Sequence, residues 1–146
     1  MWPMDRYAAL ASRLIARRGE LGIDAVVVVG LESERSLCGP LLCVEGVVER
    51  VGATGISGLM TLIEHAALVV CNDSAAMHMA VAFGRPMVAL FGPTDVGHAG
   101  PWGRPHDVIS HRREGERVRH RDVARASEIM RRIGVEEVVA ACEKRL

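Results

Sequence analysis

A chain of 146 residues fits one domain. Hydrophobic residues make up 49% and charged residues 25%, which excludes a disordered or collagen-like chain and supplies apolar mass for a core. Eighteen basic residues balance eighteen acidic ones, and zero net charge argues against a general nucleic-acid binder.

No apolar run approaches the ~20 residues that span a bilayer. Asp5, Arg6, Arg13, Arg17 and Arg18 occupy the stretch where a signal peptide would be apolar. The sequence therefore reads as cytoplasmic. Cys38, Cys43, Cys71 and Cys142 form no CxxC and no zinc-finger spacing with histidine. Four free thiols are expected in a reducing compartment, and no metal site or cofactor is indicated.

The first helix is expected over 4–18. Pro3 favours a helix start, and Tyr7, Leu10, Leu14 and Ile15 recur on one face. Gly19 is the expected stop. Ala25–Gly30 is a continuous β-branched run and reads as a strand buried on both faces. A short helix over 32–38 and a strand over 42–48 follow. Glycines mark 52–58 as a loop. Leu59, Leu62, Ile63 and Ala66 then mark a helix, and Leu68–Cys71 is another buried strand. Asn72-Asp73-Ser74 turns that strand into a helix that runs to about Phe83 and closes at Gly84. Met87–Phe91 is a strand, 92–106 an irregular loop, and Asp107–Ser110 a short last strand. Residues 111–128 are arginine-rich and show no period. Val135–Arg145 is a final amphipathic helix. Strands alternating with helices predict an α/β fold, a Rossmann-like parallel sheet covered by helices on both faces. Ligands in such sheets sit at the carboxyl ends of the strands.

Three of those ends carry chemistry. At the first, Asp73 or Ser74 can cap the following helix. The remaining N–H groups and the positive end of the dipole then form an anion site suited to a diphosphate. His78 lies one turn after Ser74 on the same face. Asp73 is negative, so sugar hydroxyls suit it better than phosphate. Plain N-capping, with His78 a core or surface histidine, accounts for the same pattern. At the second, Gly92-Pro93-Thr94-Asp95 opens a loop of about fifteen residues, long enough to suggest function. At the third, Glu34 can accept from ribose hydroxyls, although a capping glutamate is the simpler account of that residue by itself. There is no GxGxxG, Walker A, GxSxG or HExxH motif. The arginines between Arg112 and Arg132, including Arg117, Arg119 and Arg121, alternate with acids and lack aromatics. They read as a solvated face rather than a nucleic-acid surface.

Taken in order, these segments resemble glycosyltransferase family 9, the heptosyltransferases, over the family's C-terminal half. Trp2-Pro3 is similar to its "RWP" opening and Gly30…Glu34-Arg35 to its "GxxxER". Asn72–Ala80 resembles "NDSGPMHLA". Phe91–Asp95 with Gly100–Gly103 resembles "FGPTDP…GPYG", and Ile133–Ala141 its closing helix.

The resemblance implies the C-terminal, donor-binding half of a GT-B fold, with 1–146 as one domain. It implies a nucleotide-sugar donor, ADP-heptose, and transfer to a lipopolysaccharide core acceptor without a metal. Asp73 would hold sugar hydroxyls. Ser74, Ala75 and the following N–H groups would hold the diphosphate, with His78 beside it. Glu34 would bind the ribose, and Thr94 would line the pocket. No residue here is identified as catalytic. The implied partners are an N-terminal GT-B half or a second copy, with a peripheral seat at the inner membrane.

Two departures stand out. Ala75 replaces the family's glycine, and Met1 precedes Trp2 where the family carries a basic residue. Without the other half, this chain is expected to bind donor weakly and transfer little. The alternative reading is a non-catalytic nucleotide-binding or interaction module derived from the same domain.

Overall fold

The computed structural model describes residues 1–116, 118 and 122–146. Arg117, Arg119 and Arg121 of the arginine-rich stretch lie outside the described residues. In chain order the elements are α1 (Met4–Ala16), α2 (Arg18–Leu21), β1 (Val26–Gly30), α3 (Gly39–Leu42), β2 (Val47–Val51), α4 (Ile56–Glu64) and β3 (Val69–Asn72). Next come α5 (Ala75–Ala82), β4 (Met87–Phe91), α6 (Val96–Ala99), β5 (Val108–Ser110), α7 (Val123–Arg131) and α8 (Val135–Glu143). The fold is the expected α/β arrangement of parallel strands and helices.

β4 divides the core because its five apolar residues are all buried. Val88 and Leu90 face Trp2, Leu10, Leu14, Met130, Ile133, Val138 and Cys142, contributed by α1, the α7–α8 segment and α8. Met87, Ala89 and Phe91 face Ile63, Met77 and Ala80 of α4 and α5. Alternate side chains thus enter opposite clusters, as a strand with a helical layer on each face requires. α5 ends as the sequence predicts. Gly84 takes φ +63, its N–H reaches the Val81 carbonyl, and the Arg85 N–H reaches the Ala80 carbonyl. This is the paired C-terminal bonding that a left-handed glycine permits.

Several expectations are corrected. Among the described residues, the parallel strands form two sheets, β1-β2 and β3-β4-β5. β1 is not buried on both faces: Val28 is buried, but Val27 and Val29 are 43% and 37% exposed, because the sheet breaks beside them. α1 does not stop at Gly19. It breaks at Arg17, and one more turn runs to Gly22, which takes φ +66 and ends it. The strand expected over 42–48 begins at Val47. Pro40 starts a helical turn at 39–42, and Gly46 at φ +87 makes the corner. A side chain at Gly46 would crowd Ile15, 3.2 Å away. The 92–106 loop contains α6, because the Asp95 carboxylate accepts the Gly97 N–H at 2.8 Å. Within 111–128, helix α7 begins where Asp122 caps Arg125 N–H.

Candidate functional site

Among the described residues, β1 pairs only with β2, and β3 only with β4. Their other edges border a groove of roughly 720 Å³. Consecutive residues of both strands line it, Val26 to Val29 and Val69 to Asn72. Side chains of a strand alternate between faces, so an unbroken run of lining residues means that the strand edges themselves border the groove. Glu34, Asn72 and Ser74 stand at its carboxyl-terminal mouth, where ligands of parallel sheets gather.

The start of α5 is built differently from the capped junction the sequence suggests. Ser74 occupies the N-cap position in an extended conformation, φ −161 and ψ 171, but no side chain caps the helix. Neither Asp73 nor Ser74 plays the expected capping role. Met77 N–H bonds the Ser74 carbonyl at 3.1 Å, while the N–H groups of Ala75 and Ala76 find no acceptor among the described residues. Asp73, Ser74, Ala75 and His78 are all exposed, whereas Met77 and Ala80 turn into the core. The positive end of α5 therefore opens outward with free donors.

Glu34 lies at the end of β1 and partly fulfils the simpler account. One carboxylate oxygen accepts the Leu31 N–H at 2.8 Å. Thr94 lies elsewhere, in a second pocket of about 380 Å³ at the ends of β4 and β5. Asp95, Ser110, Arg112 and Arg113 share that pocket, and Arg112 pairs with Asp95 at 3.1 Å. The Gly97 N–H, and then Arg112, hold the Asp95 carboxyl below the usual carboxylate range. The structure thus brings Glu34 and Ser74 to one groove and places Thr94 in a second pocket, at the end of β4 beside β3.

The sequence reading missed what holds Asn72. The Trp2 backbone N–H donates to Asn72 Oδ1 at 3.0 Å. Trp2 is 1% exposed. Its indole N–H donates to the Ile133 carbonyl at 3.0 Å, and its ring meets Tyr7 edge-to-face at 4.8 Å. Burial pushes the Tyr7 phenol well above its ordinary value, with a smaller contribution from Cys71. Burial, aided by Asp73, likewise pushes the Cys71 thiol up to about 12. The only local signal was the Trp-Pro pair, because the partners lie 70 and 131 residues away.

Glu116, outside the lining of the second pocket, bonds two residues that line it, Arg112 and Arg113. Its carboxylate pairs with Arg132 at 2.8 Å and Arg125 at 2.6 Å. It also accepts the Arg113 N–H. The Arg132 hydrogen bond, followed by that backbone bond, holds its carboxyl down at about 2. Among the described residues, no three His, Cys, Asp or Glu side chains gather to hold a metal ion. Nor is any helix among them long and apolar enough to cross a membrane.

Parallel strands, helices on both faces of β4 and a polar edge at the strand ends define a Rossmann-like α/β protein. The chain belongs to glycosyltransferase family 9 (heptosyltransferase), whose model matches residues 1–127. Lipooligosaccharide heptosyltransferase 2 of Haemophilus influenzae is 33% identical over 111 residues, spanning 74% of this chain and 32% of that protein. Lipopolysaccharide heptosyltransferase 3 of Escherichia coli K12 is 34% identical over 157 residues, spanning 99% of this chain and 42% of that protein. The solved structure of E. coli ADP-heptose lps heptosyltransferase II superposes with a TM-score of 0.78 at 25% identity, over 99% of this chain and 41% of that one. The chain spans about a third to two fifths of the length of these relatives.

Proposed function

We propose that residues 1–146 form the C-terminal, donor-binding half of a GT-B glycosyltransferase. Its donor is a nucleotide sugar of the ADP-heptose kind, and its acceptor a lipopolysaccharide core sugar. The observation that carries this reading is the exposed, uncapped start of α5 beside the groove mouth, in a chain of the heptosyltransferase family. Transfer would break the bond from the sugar's anomeric carbon to the diphosphate oxygen and form one to an acceptor hydroxyl. The acceptor proton would pass to a base on the other half of the enzyme, and the nucleoside diphosphate would leave with the bonding pair.

In this reading, the charge growing on the diphosphate meets the free N–H groups of Ala75 and Ala76 at the positive helix end. His78, one turn along, donates to a phosphate oxygen. Asp73 accepts from the sugar hydroxyls. Glu34 keeps one oxygen on Leu31 N–H and offers the other to the ribose. Thr94 adds a hydroxyl from the neighbouring strand end. The reaction is read as metal-free and cofactor-free on the family resemblance. The partner is an N-terminal GT-B half or a second copy, in the cytoplasm and peripheral to the inner membrane. This chain alone is expected to bind donor weakly and transfer little.

Calorimetric titration with ADP-heptose, ADP, UDP and GDP tests the reading. Adenine ligands should bind selectively, and Asp73→Ala and His78→Ala should each weaken ADP-heptose about tenfold or more, the scale of one charge-assisted hydrogen bond. Equal binding of all three nucleotides would sink the ADP assignment. No binding at millimolar concentration would sink the donor site.

The exposed Ala75 favours a second reading, a module that has left catalysis, since its methyl sits where a diphosphate would approach. Ala75→Gly separates the two. A gain in ADP affinity identifies the methyl as the obstruction, and an unchanged affinity removes this argument for lost function.

A further inference from the structure

We infer that Asn72 is a positioning residue: held by the Trp2 backbone N–H, it sets the Asp73–Ser74 turn and thereby the direction of the free α5 N–H groups. The inference rests on the donor reading for its purpose, but its structural content stands independently. The turn has no local restraint of the usual kind, because no side chain caps α5. Among the described residues, neither the Asp73 nor the Ser74 side chain makes a hydrogen bond that could hold the turn in its place. What fixes it is the residue just before it.

The Trp2 backbone N–H donates to the Asn72 carboxamide oxygen Oδ1 at 3.0 Å. That tie is anchored in turn. Trp2 is buried and its indole donates to the Ile133 carbonyl between α7 and α8. Arg6 donates to the Arg131 carbonyl at 2.6 Å and also to that of Ile133. The first turn of α1 and the α7–α8 turn thus locate Asn72, and Asn72 locates the turn at the end of β3. A strand end needs no such arrangement merely to stop. A carboxamide suits the position because its oxygen accepts the Trp2 N–H.

Two variants separate positioning from simple stability. Asn72→Ala removes the tie. Trp2→Phe loses the indole bond and some packing but keeps the backbone N–H that holds Asn72. Amide hydrogen exchange is read on the ligand-free proteins, and ADP affinity is measured alongside. In Asn72→Ala, the Met77 amide, which bonds the Ser74 carbonyl, should exchange about tenfold faster or more, as expected for loosening of a hydrogen-bonded local segment. The amides of Val88–Phe91 should stay unchanged, and ADP should weaken in step. Trp2→Phe should lower global stability without a separate change at Met77.

Unchanged exchange of the Met77 amide in Asn72→Ala overturns the inference. So does acceleration spread equally over β4, and so does a Trp2→Phe pattern equal to that of Asn72→Ala. If the wild-type chain binds no ADP, the donor reading falls, and the exchange data still decide the role of Asn72.

Discussion

Replacing Trp2 with Phe should destabilise the fold by a predictable amount. The indole is 1% exposed and donates to the Ile133 carbonyl at 3.0 Å. Losing that bond costs about 1 kcal/mol rather than the full penalty of an orphaned carbonyl, because Arg6 also donates to Ile133. The smaller ring leaves a gap beside Tyr7, Leu10 and Val138, worth about 1–2 kcal/mol more. The total is about 2–3 kcal/mol, or roughly 5–10 °C in Tm for a chain of this size. Urea unfolding followed by far-UV circular dichroism measures it, with the m-value expected to hold. Removing Arg6 as well should cost roughly 1 kcal/mol beyond the sum of the single changes, since only the double variant strips both side-chain donors from the carbonyl. A single-variant loss below about 0.5 kcal/mol, or strict additivity in the pair, would refute this account of the Ile133 anchor.

The remaining predictions concern charge and thiols. Glu116 has its folded pKa depressed from 4.5 to about 2 by Arg132 and the Arg113 N–H. Its contribution is therefore fully present above pH 4.5 and lost as pH falls toward 2. Urea midpoints should fall between pH 5 and pH 2 in the wild type and fall less in Glu116→Gln; equal slopes would show that the carboxylate contributes nothing. Among the cysteines, Cys43 is exposed while Cys38, Cys71 and Cys142 are buried. Cys71 and Cys142 are pushed up to about 12 by burial and stay protonated at neutral pH. Maleimide at pH 7.5 should label one thiol in the native protein and four in urea, as counted by mass spectrometry; rapid native labelling of Cys71 would contradict the burial.

The segment from β3 to β4 was legible because each signal there is local. Apolar runs form the strands, Asn72-Asp73-Ser74 marks the junction, and Gly84 can take the left-handed conformation that ends α5. The family was legible because several such segments occur in order. β2 was misread because Val44, Val47 and Val48 form one apolar pattern, and only the left-handed corner at Gly46 decides where extension begins. α7 was missed because its apolar face is short and its start depends on a single capping aspartate. The candidate site divides in the same way. Asp73, Ser74 and His78 share a helix start and could be grouped by spacing. The tie to Asn72 could not be, since it joins residues far apart in the chain.

The break between the two sheets also bears on how the molecule opens. Val28, Cys38, Leu41 and Val51 form a cluster of their own with Ala11, and no ladder bond joins β1 to β3. The β1–α3–β2 unit packs on the rest chiefly through α1, so it is expected to open at a free energy below that of global unfolding. Such an excursion would release Glu34 while leaving the Asp73–His78 helix seated on β4. One bank of the groove can thus dissolve and re-form many times in the life of a single folded molecule.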